Sequence, residues 1–202
     1  MHVGWRRHSP LFVIDSHPVD VCRTSRAEVD EARLDGLGKI GYCAGARRWF
    51  CGVREHLVFT PHGMIATIQQ IPGNRHDSRG LYELLRTSFC GLLLTDNAYT
   101  PGRKLDQELR HHNIVVVAQT RKDARCPLPR RTRTFVNCHR RPIERRISLF
   151  CQQMHAARTL CRCARHYRAR RWAKALTHNL SRYANPKLYR AAETLLHFRL
   201  AA

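Results

Sequence analysis

Three carboxylates stand where this chain could do chemistry with them. Asp96 closes the apolar run Gly91-Leu92-Leu93-Leu94-Thr95, and Asp15 closes a second run of the same grammar, Leu11-Phe12-Val13-Ile14. A short apolar run stopped by polar residues reads as a strand buried on both faces. The interior of such a strand is committed to packing, and a carboxylate there is costly to bury, so functional acids belong at its end. Glu144 is the third acid. It is the one acidic residue between Ala124 and Ala192, flanked by Arg140-Arg141 and Arg145-Arg146. It lies one turn before Ile147, on the helix side shared with Cys151 and Met154, which places it at the rim of the sheet beside Asp15 and Asp96. A lone Glu among arginines is usually a surface ion pair. Three carboxylates from distant parts of a strongly cationic chain are instead the ingredients for holding hard divalent cations beside a phosphodiester.

The charge balance points the same way. Lys and Arg number 36 against 15 Asp and Glu, a formal net charge of +21 in 202 residues. Such an excess favours a polyanionic partner, because neutralising phosphates releases condensed counterions. No apolar stretch approaches the length that spans a bilayer, and the basic start around Trp5-Arg6-Arg7-His8 is a poor signal peptide, so no membrane is expected and the expected compartment is the cytoplasm. The nine cysteines are odd in number and scattered, and several fall inside apolar segments, as reduced buried side chains do. Cys151, His155, Cys161, Cys163 and His166 do not have the spacing of a zinc finger or ribbon.

The elements that must position the acids follow in order. After Asp15, a polar stretch to Lys39 reads as a surface excursion. Trp49 to Phe59 and Met64 to Ile71, joined through Thr60-Pro61-His62-Gly63, read as a hairpin. Leu81, Leu84 and Leu85 mark a helix for which Asp77 or Ser78 is a fitting N-cap. Thr100-Pro101 opens a second helix carrying Leu105 and Leu109, and Ile114 to Ala118 is another buried strand. Strand, hairpin, helix, strand, helix, strand specifies an α/β sheet, antiparallel at first and parallel later. Arg121 to Arg141 reads as a solvated basic loop. Helical periodicity resumes at Ile143 with Ile147, Phe150, Met154 and Ala157 facing inward. Arg158, Arg162, Arg165, Arg168 and Arg171 then recur at helical steps as a basic stripe, and one or two further amphipathic helices fill the last thirty-odd residues.

At this point the motifs form an ordered set: Ile14-Asp15-Ser16-His17-Pro18, Gly52-Val53-Arg54-Glu55-His56, Gly73-Asn74-Arg75-His76-Asp77, Leu94-Thr95-Asp96-Asn97-Ala98-Tyr99 and Arg140-Arg141-Pro142-Ile143-Glu144. Together, over residues 11 to about 180, the chain resembles the catalytic domain of the Asp-Asp-Glu (DDE) transposases of bacterial insertion sequences, which have a ribonuclease H-like fold. Two positions depart from that pattern: Asn97-Ala98 stands where Lys-Gly is common, and Asn137 where a tyrosine is often found.

The resemblance implies a mixed sheet flanked by helices, with a ribonuclease H-like unit over residues 1–158 and a basic helical extension over 159–202 packed on it. It implies a strand transferase in which Asp15 and Asp96 bridge two Mg²⁺ ions and Glu144 completes the shell of one, with Mn²⁺ as a substitute metal. The expected partner is double-stranded DNA with terminal inverted repeats, engaged by a homodimer close to the bacterial nucleoid. Arg140, Arg141, Arg145, Arg158, Arg162 and Arg165 are the expected phosphate contacts. Because relatives carry a helical DNA-binding region ahead of the first catalytic strand, the chain reads as an amino-terminally truncated copy. The alternative reading is an inactive remnant that only binds DNA nonspecifically. A host nuclease of the same fold is a third reading, disfavoured by the Asn74 to Asp77 and Glu144 motifs.

Overall fold

A computed structural model describes residues 11–23, 33–120 and 127–187. Its centre is β1 (Leu11–Cys22), a strand longer than the apolar run that announces it. The expectation that the strand stops at Asp15 is corrected: Asp15 lies in mid-strand, and Ser16 to Cys22 continue it. The physical reason is β3 (Arg48–Phe59), which pairs antiparallel with β1 from Val13↔Phe59 through to Cys22↔Cys51 and so extends it past the acid. Pro18 fits because the parallel partner on the other side, β5 (Gly91–Thr95), pairs with Leu11 to Val13, short of the proline. A proline, lacking an N–H, is tolerated where one side carries no ladder.

The hairpin is formed as read, by β3 and β4 (Ile65–Pro72) in antiparallel register. A strand the sequence reading passed over, β2 (Lys39–Cys43), pairs with the first residues of β3. Thus β2 and β4 share one edge of β3 end to end. The path of the six-stranded sheet is β2-β3-β1-β5-β6, with β6 (Ile114–Ala118) parallel to β5. The sheet is antiparallel on one side of β1 and parallel on the other, an α/β architecture with a mixed sheet flanked, among the described residues, by four helices, consistent with a ribonuclease H-like fold.

Side-chain alternation along β1 divides the core in two. Phe12 and Ile14 pack with Leu81, Leu84, Tyr99, Leu105 and Leu109, the contributions of α1 (Arg79–Leu85), α2 (Arg103–His111) and the 3-10 turn between them. Val13 packs on the opposite face with Leu57, Leu94, Val136, Ile143, Ile147 and Phe150. The last four belong to α3 (Arg130–Gln153). This helix corrects the expected basic loop before Ile143. Arginine is a good helix former, Pro127 and Pro129 precede the first turn, and Pro142 sits inside the helix, where it removes one N–H from the ladder. Proline and charge therefore masked twelve residues of helix, from Arg130 to Arg141.

The final described element, α4 (Ala164–Lys187), packs on the same side of the sheet as α3, its Ala175 in one cluster with Val136, Ile143 and Phe150. Arg171 belongs to the expected basic stripe but is buried, 1% exposed. It donates from Nε to Glu55 Oε1 at 2.8 Å, pairs a second time through Nη2 with Glu55 Oε2, and donates from Nη1 to the Ala156 carbonyl at 2.7 Å. Farther along α4, Asn179 bonds both backbone groups of Ile65, and His178 meets the Gly63 carbonyl. The helices read into residues 188–202 lie outside the described residues, as do the first ten residues and Arg121 to Cys126. Among the described residues no helix is long and apolar enough to cross a membrane.

Candidate active site

Register and alternation bring two of the three acids together. Val13 on β1 pairs with Leu94 on β5, and both face α3. Two residues on, the next positions of the same face are Asp15 and Asp96. Their carboxyls affect one another. Asp15 is pushed up to about 6, first by burial and then, among charges, by Asp96 and Asp77, while the Ser16 N–H and the Arg140 guanidinium oppose the rise. The Ser16 amide donates to Asp15 Oδ1 at 2.8 Å. Asp96 is raised as well, again mainly by burial, with Arg140 pulling it down. It also caps the turn Asn97–Tyr99, accepting the Ala98 N–H at 3.0 Å. Two desolvated oxygen donors that repel each other and are eased by a cation suit a hard divalent ion in kind.

Glu144 lies off the packed helix face on which it is expected. The inward face of α3 is Val136, Ile143, Ile147 and Phe150, and Glu144, rotated about 100° from Ile143, is exposed. It reaches a shallow cavity at the end of β6 that it shares with Gln119, Asn137, Arg140 and Arg141. Among the described residues no group of three or more His, Cys, Asp or Glu is arranged to hold a metal ion. The geometry therefore joins Asp15 to Asp96 and sets Glu144 at the rim, on the same helix as the arginine that acts on both.

The opposite face of β1 carries a second polar assembly that the sequence reading assembled only in pieces. Ser16 points away from Asp15, and its hydroxyl donates to Asp77 Oδ1 at 2.7 Å. Of the two expected caps, Asp77 and Ser78, it is Ser78 that takes the cap position of α1, with no side-chain cap bond, and the Asp77 carboxylate serves Ser16 and Arg54 instead, the latter at 3.5 Å. Tyr99, fully buried, meets His56 Nδ1 at 2.6 Å, and its hydroxyl is held un-ionised by burial and by the neighbouring carboxylates. His56 is itself buried, and desolvation lowers it to about 4. The other ring nitrogen, Nε2, has no hydrogen-bond partner among the described residues. Its ring lies on Gly80: a Cβ there would stand 2.8 Å from three ring atoms. His76 stays exposed and bonds the Ser78 hydroxyl at 3.0 Å.

The six arginines expected to meet DNA fall into two groups. Arg140, half-buried, and the exposed Arg141 and Arg145 are on α3 beside the acids. Arg158, Arg162 and Arg165 are also exposed but lie elsewhere: the backbone at Arg158 forms an isolated β-bridge with Asp20, five residues along β1 from Asp15, or roughly 16 Å at the rise of a strand.

No protein of curated function matches the chain significantly. A family model described as Transposase DDE domain matches residues 6–180, a span that holds every strand of the sheet and all three acids.

Proposed function

The chain belongs to the transposase DDE domain family, and from that premise we propose that it cuts and rejoins DNA at the ends of an insertion sequence in a reaction dependent on Mg²⁺, with Mn²⁺ as a substitute. Membership implies an enzyme class and a DNA substrate. What supports the finer reading is the placing of Asp15 and Asp96 two residues beyond the paired Val13 and Leu94 on neighbouring parallel strands, with the Arg140 charge acting on both.

In this reading Asp15 and Asp96 hold the metal and Glu144, at the cavity rim on α3, completes its shell. Bound divalent cations would activate a water or 3′-hydroxyl and stabilise the departing oxygen. The chain's own residues supply the rest. The Ser16 amide and the Ala98 amide fix one oxygen each of Asp15 and Asp96, so the carboxylates are oriented before any ion arrives. Arg140 offers a planar set of donors to a phosphate beside them, as guanidinium groups do. Arg141 and Arg145 extend the contact along the flanking strand, and the second group, Arg158, Arg162 and Arg165, takes the backbone of duplex farther along. The basic region from residue 159 onward works as an extension on the catalytic unit of residues 1–158. Two copies on one pair of inverted repeats, acting in the bacterial cytoplasm near the nucleoid, complete the reading.

The test is nicking of duplex that carries the terminal inverted repeats flanking the gene. The expected outcome is cleavage that requires Mg²⁺ and is lost on Asp96→Asn. Equal nicking by the Asp96→Asn protein, or DNA binding by the wild type with no metal-dependent cleavage, refutes it.

A further inference from the structure

The row of side chains that carries Asp15 and Asp96 has a third member. Val13, Leu94 and Val117 are paired neighbours across β1, β5 and β6, and all three belong to the core face under α3. Two residues beyond them, on that face, stand Asp15, Asp96 and Gln119. The Gln119 N–H donates to the Thr95 carbonyl at 2.9 Å, so β6 keeps its register with β5 as far as this residue. Gln119 is thus the position in the third strand that corresponds to the two acids.

Its amide reaches α3 in two directions. Nε2 donates to Asn137 Oδ1 at 2.8 Å, and Oε1 accepts from Arg140 Nη1 at 2.6 Å. Asn137 and Arg140 are three residues apart and so share a helix face. The chemistry fixes which way round both amides sit. A guanidinium has donors only, so the Gln119 oxygen must face Arg140, its NH₂ must face the other side, and Asn137 must present its oxygen there. Arg140 Nε, by contrast, is buried with no hydrogen-bond partner among the described residues. A buried donor left unmade is costly, and an acceptor arriving at the site would satisfy it.

We propose that Gln119, braced by Asn137, is a positioning residue that holds the Arg140 guanidinium beside the Asp15 and Asp96 pair in a single pose, ready for the phosphate under attack. The proposal rests on the reading of that pair as a DNA-cleaving centre. It also gives Asn137, which stands where a tyrosine is often found, a task of its own: it orients the amide that orients the arginine. A flexible arginine free to choose among Asp15, Asp96 and solvent would present its donors to the phosphate only part of the time. A side chain tethered at one Nη does so without that loss.

The experiment compares full-length Gln119→Ala, Gln119→Glu, Arg140→Ala and the double variant Gln119→Ala/Arg140→Ala with wild type on terminal-repeat duplex in Mg²⁺. Gln119→Ala should lower kcat by about tenfold to a hundredfold, the scale of one hydrogen bond to a charged group, with KM for DNA within about twofold. It should add nothing once Arg140 is alanine, since the residue acts through that arginine. Gln119→Glu keeps the acceptor for Arg140 and should retain most of kcat. In the metal-free protein, the Nε–Hε NMR resonance of Arg140, assigned by its loss in Arg140→Lys, should broaden or move in Gln119→Ala. A structural link between β6 and α3 would do neither. An equal loss of kcat in the Arg140→Ala background, or an Arg140 resonance indifferent to Gln119, overturns the proposal. Nicking lost at Asp96→Asn but untouched at Gln119→Ala removes this proposal alone. Failure of the wild type to nick removes the function and the proposal together.

Discussion

Replacing Arg171 with alanine is the most revealing perturbation of this fold. The residue is 1% exposed, its partner Glu55 0%. Its guanidinium makes a two-point pair with Glu55, donates to the Ala156 carbonyl and lies 3.2 Å from His17 Nε2, with the Phe150 and Tyr167 rings 5.5 and 5.9 Å away. Truncation leaves the Glu55 carboxylate buried without a cation, a loss of about 3–5 kcal/mol. At roughly 2–4 °C per kcal/mol for a chain of this size, the thermal midpoint should fall by about 6–20 °C. Against a total stability of about 5–15 kcal/mol, that brings the protein toward unfolding. Urea titration of wild type, Arg171→Ala and the double variant Glu55→Leu/Arg171→Met measures it. The double variant should recover most of the loss, because two apolar side chains of similar volume avoid the desolvation the pair must overcome. A single-variant loss under about 1 kcal/mol, the scale of an exposed pair, would refute the reasoning. So would a double variant no more stable than Arg171→Ala. The result bears on function because His17 and Glu55 face each other in the β1–β3 register, two residues along β1 from Asp15.

Two further predictions concern the buried histidine behind the acids. His56 is lowered to about 4 by desolvation, so its contribution to stability is complete above the unfolded value near 6.5 and is lost as pH falls from there toward 4; between pH 7.5 and 5 the loss is about 2 kcal/mol. Urea midpoints at those two pH values should show His56→Gln less pH-dependent than wild type by about that amount, and parallel slopes would show that the ring is not held neutral. Gly80→Ala forces a Cβ to 2.8 Å from the His56 ring and should cost about 1–3 kcal/mol through displacement of the ring, read as a lowered thermal midpoint; an unchanged midpoint would mean that the ring has room to move.

Much of this architecture was legible because it depends on short-range signals. The runs ending at Asp15 and Asp96, the hairpin around Pro61-His62-Gly63, and the helices of Leu81 to Leu85 and Leu105 to Leu109 each show a period or a turn that local chemistry enforces. What was hidden depends on neighbours. β1 continues past Asp15 because β3 pairs with it there, and Pro18 argues against that extension until the missing partner on its other side is known. β2, with Gly41 and two exposed side chains among its five residues, has no apolar alternation of its own and exists as a strand through pairing with β3. The first half of α3 reads as a loop because charge and proline are loop signals on average, although arginine itself favours a helix.

The candidate site was legible in its parts and not in its phase. Periodicity places Glu144, Ile147 and Phe150 on one helix, yet a shift of one residue turns a side chain by about 100°, and that is the difference between the packed Ile143 and the exposed Glu144. Strand alternation is less forgiving and more informative. Because Asp15 and Ser16 are adjacent on β1, they must face opposite ways, so the acid meets α3 while Ser16 meets Asp77 on the α1 side. Four of the five motifs then meet in one assembly outside the acids: Ser16 from the first, His56 from the second, Asp77 from the third and Tyr99 from the fourth. That assembly sits behind Asp15 and fills one face of the strand with hydrogen-bonded groups. The other face carries the two carboxylates, Gln119 and Arg140, and, farther along β1, the His17, Glu55 and Arg171 network. Strand alternation interleaves the two sets in Asp-Ser-His: Asp15 and His17 share a side, Asp15 under the influence of Arg140 and His17 against the Arg171–Glu55 pair, while Ser16 faces Asp77.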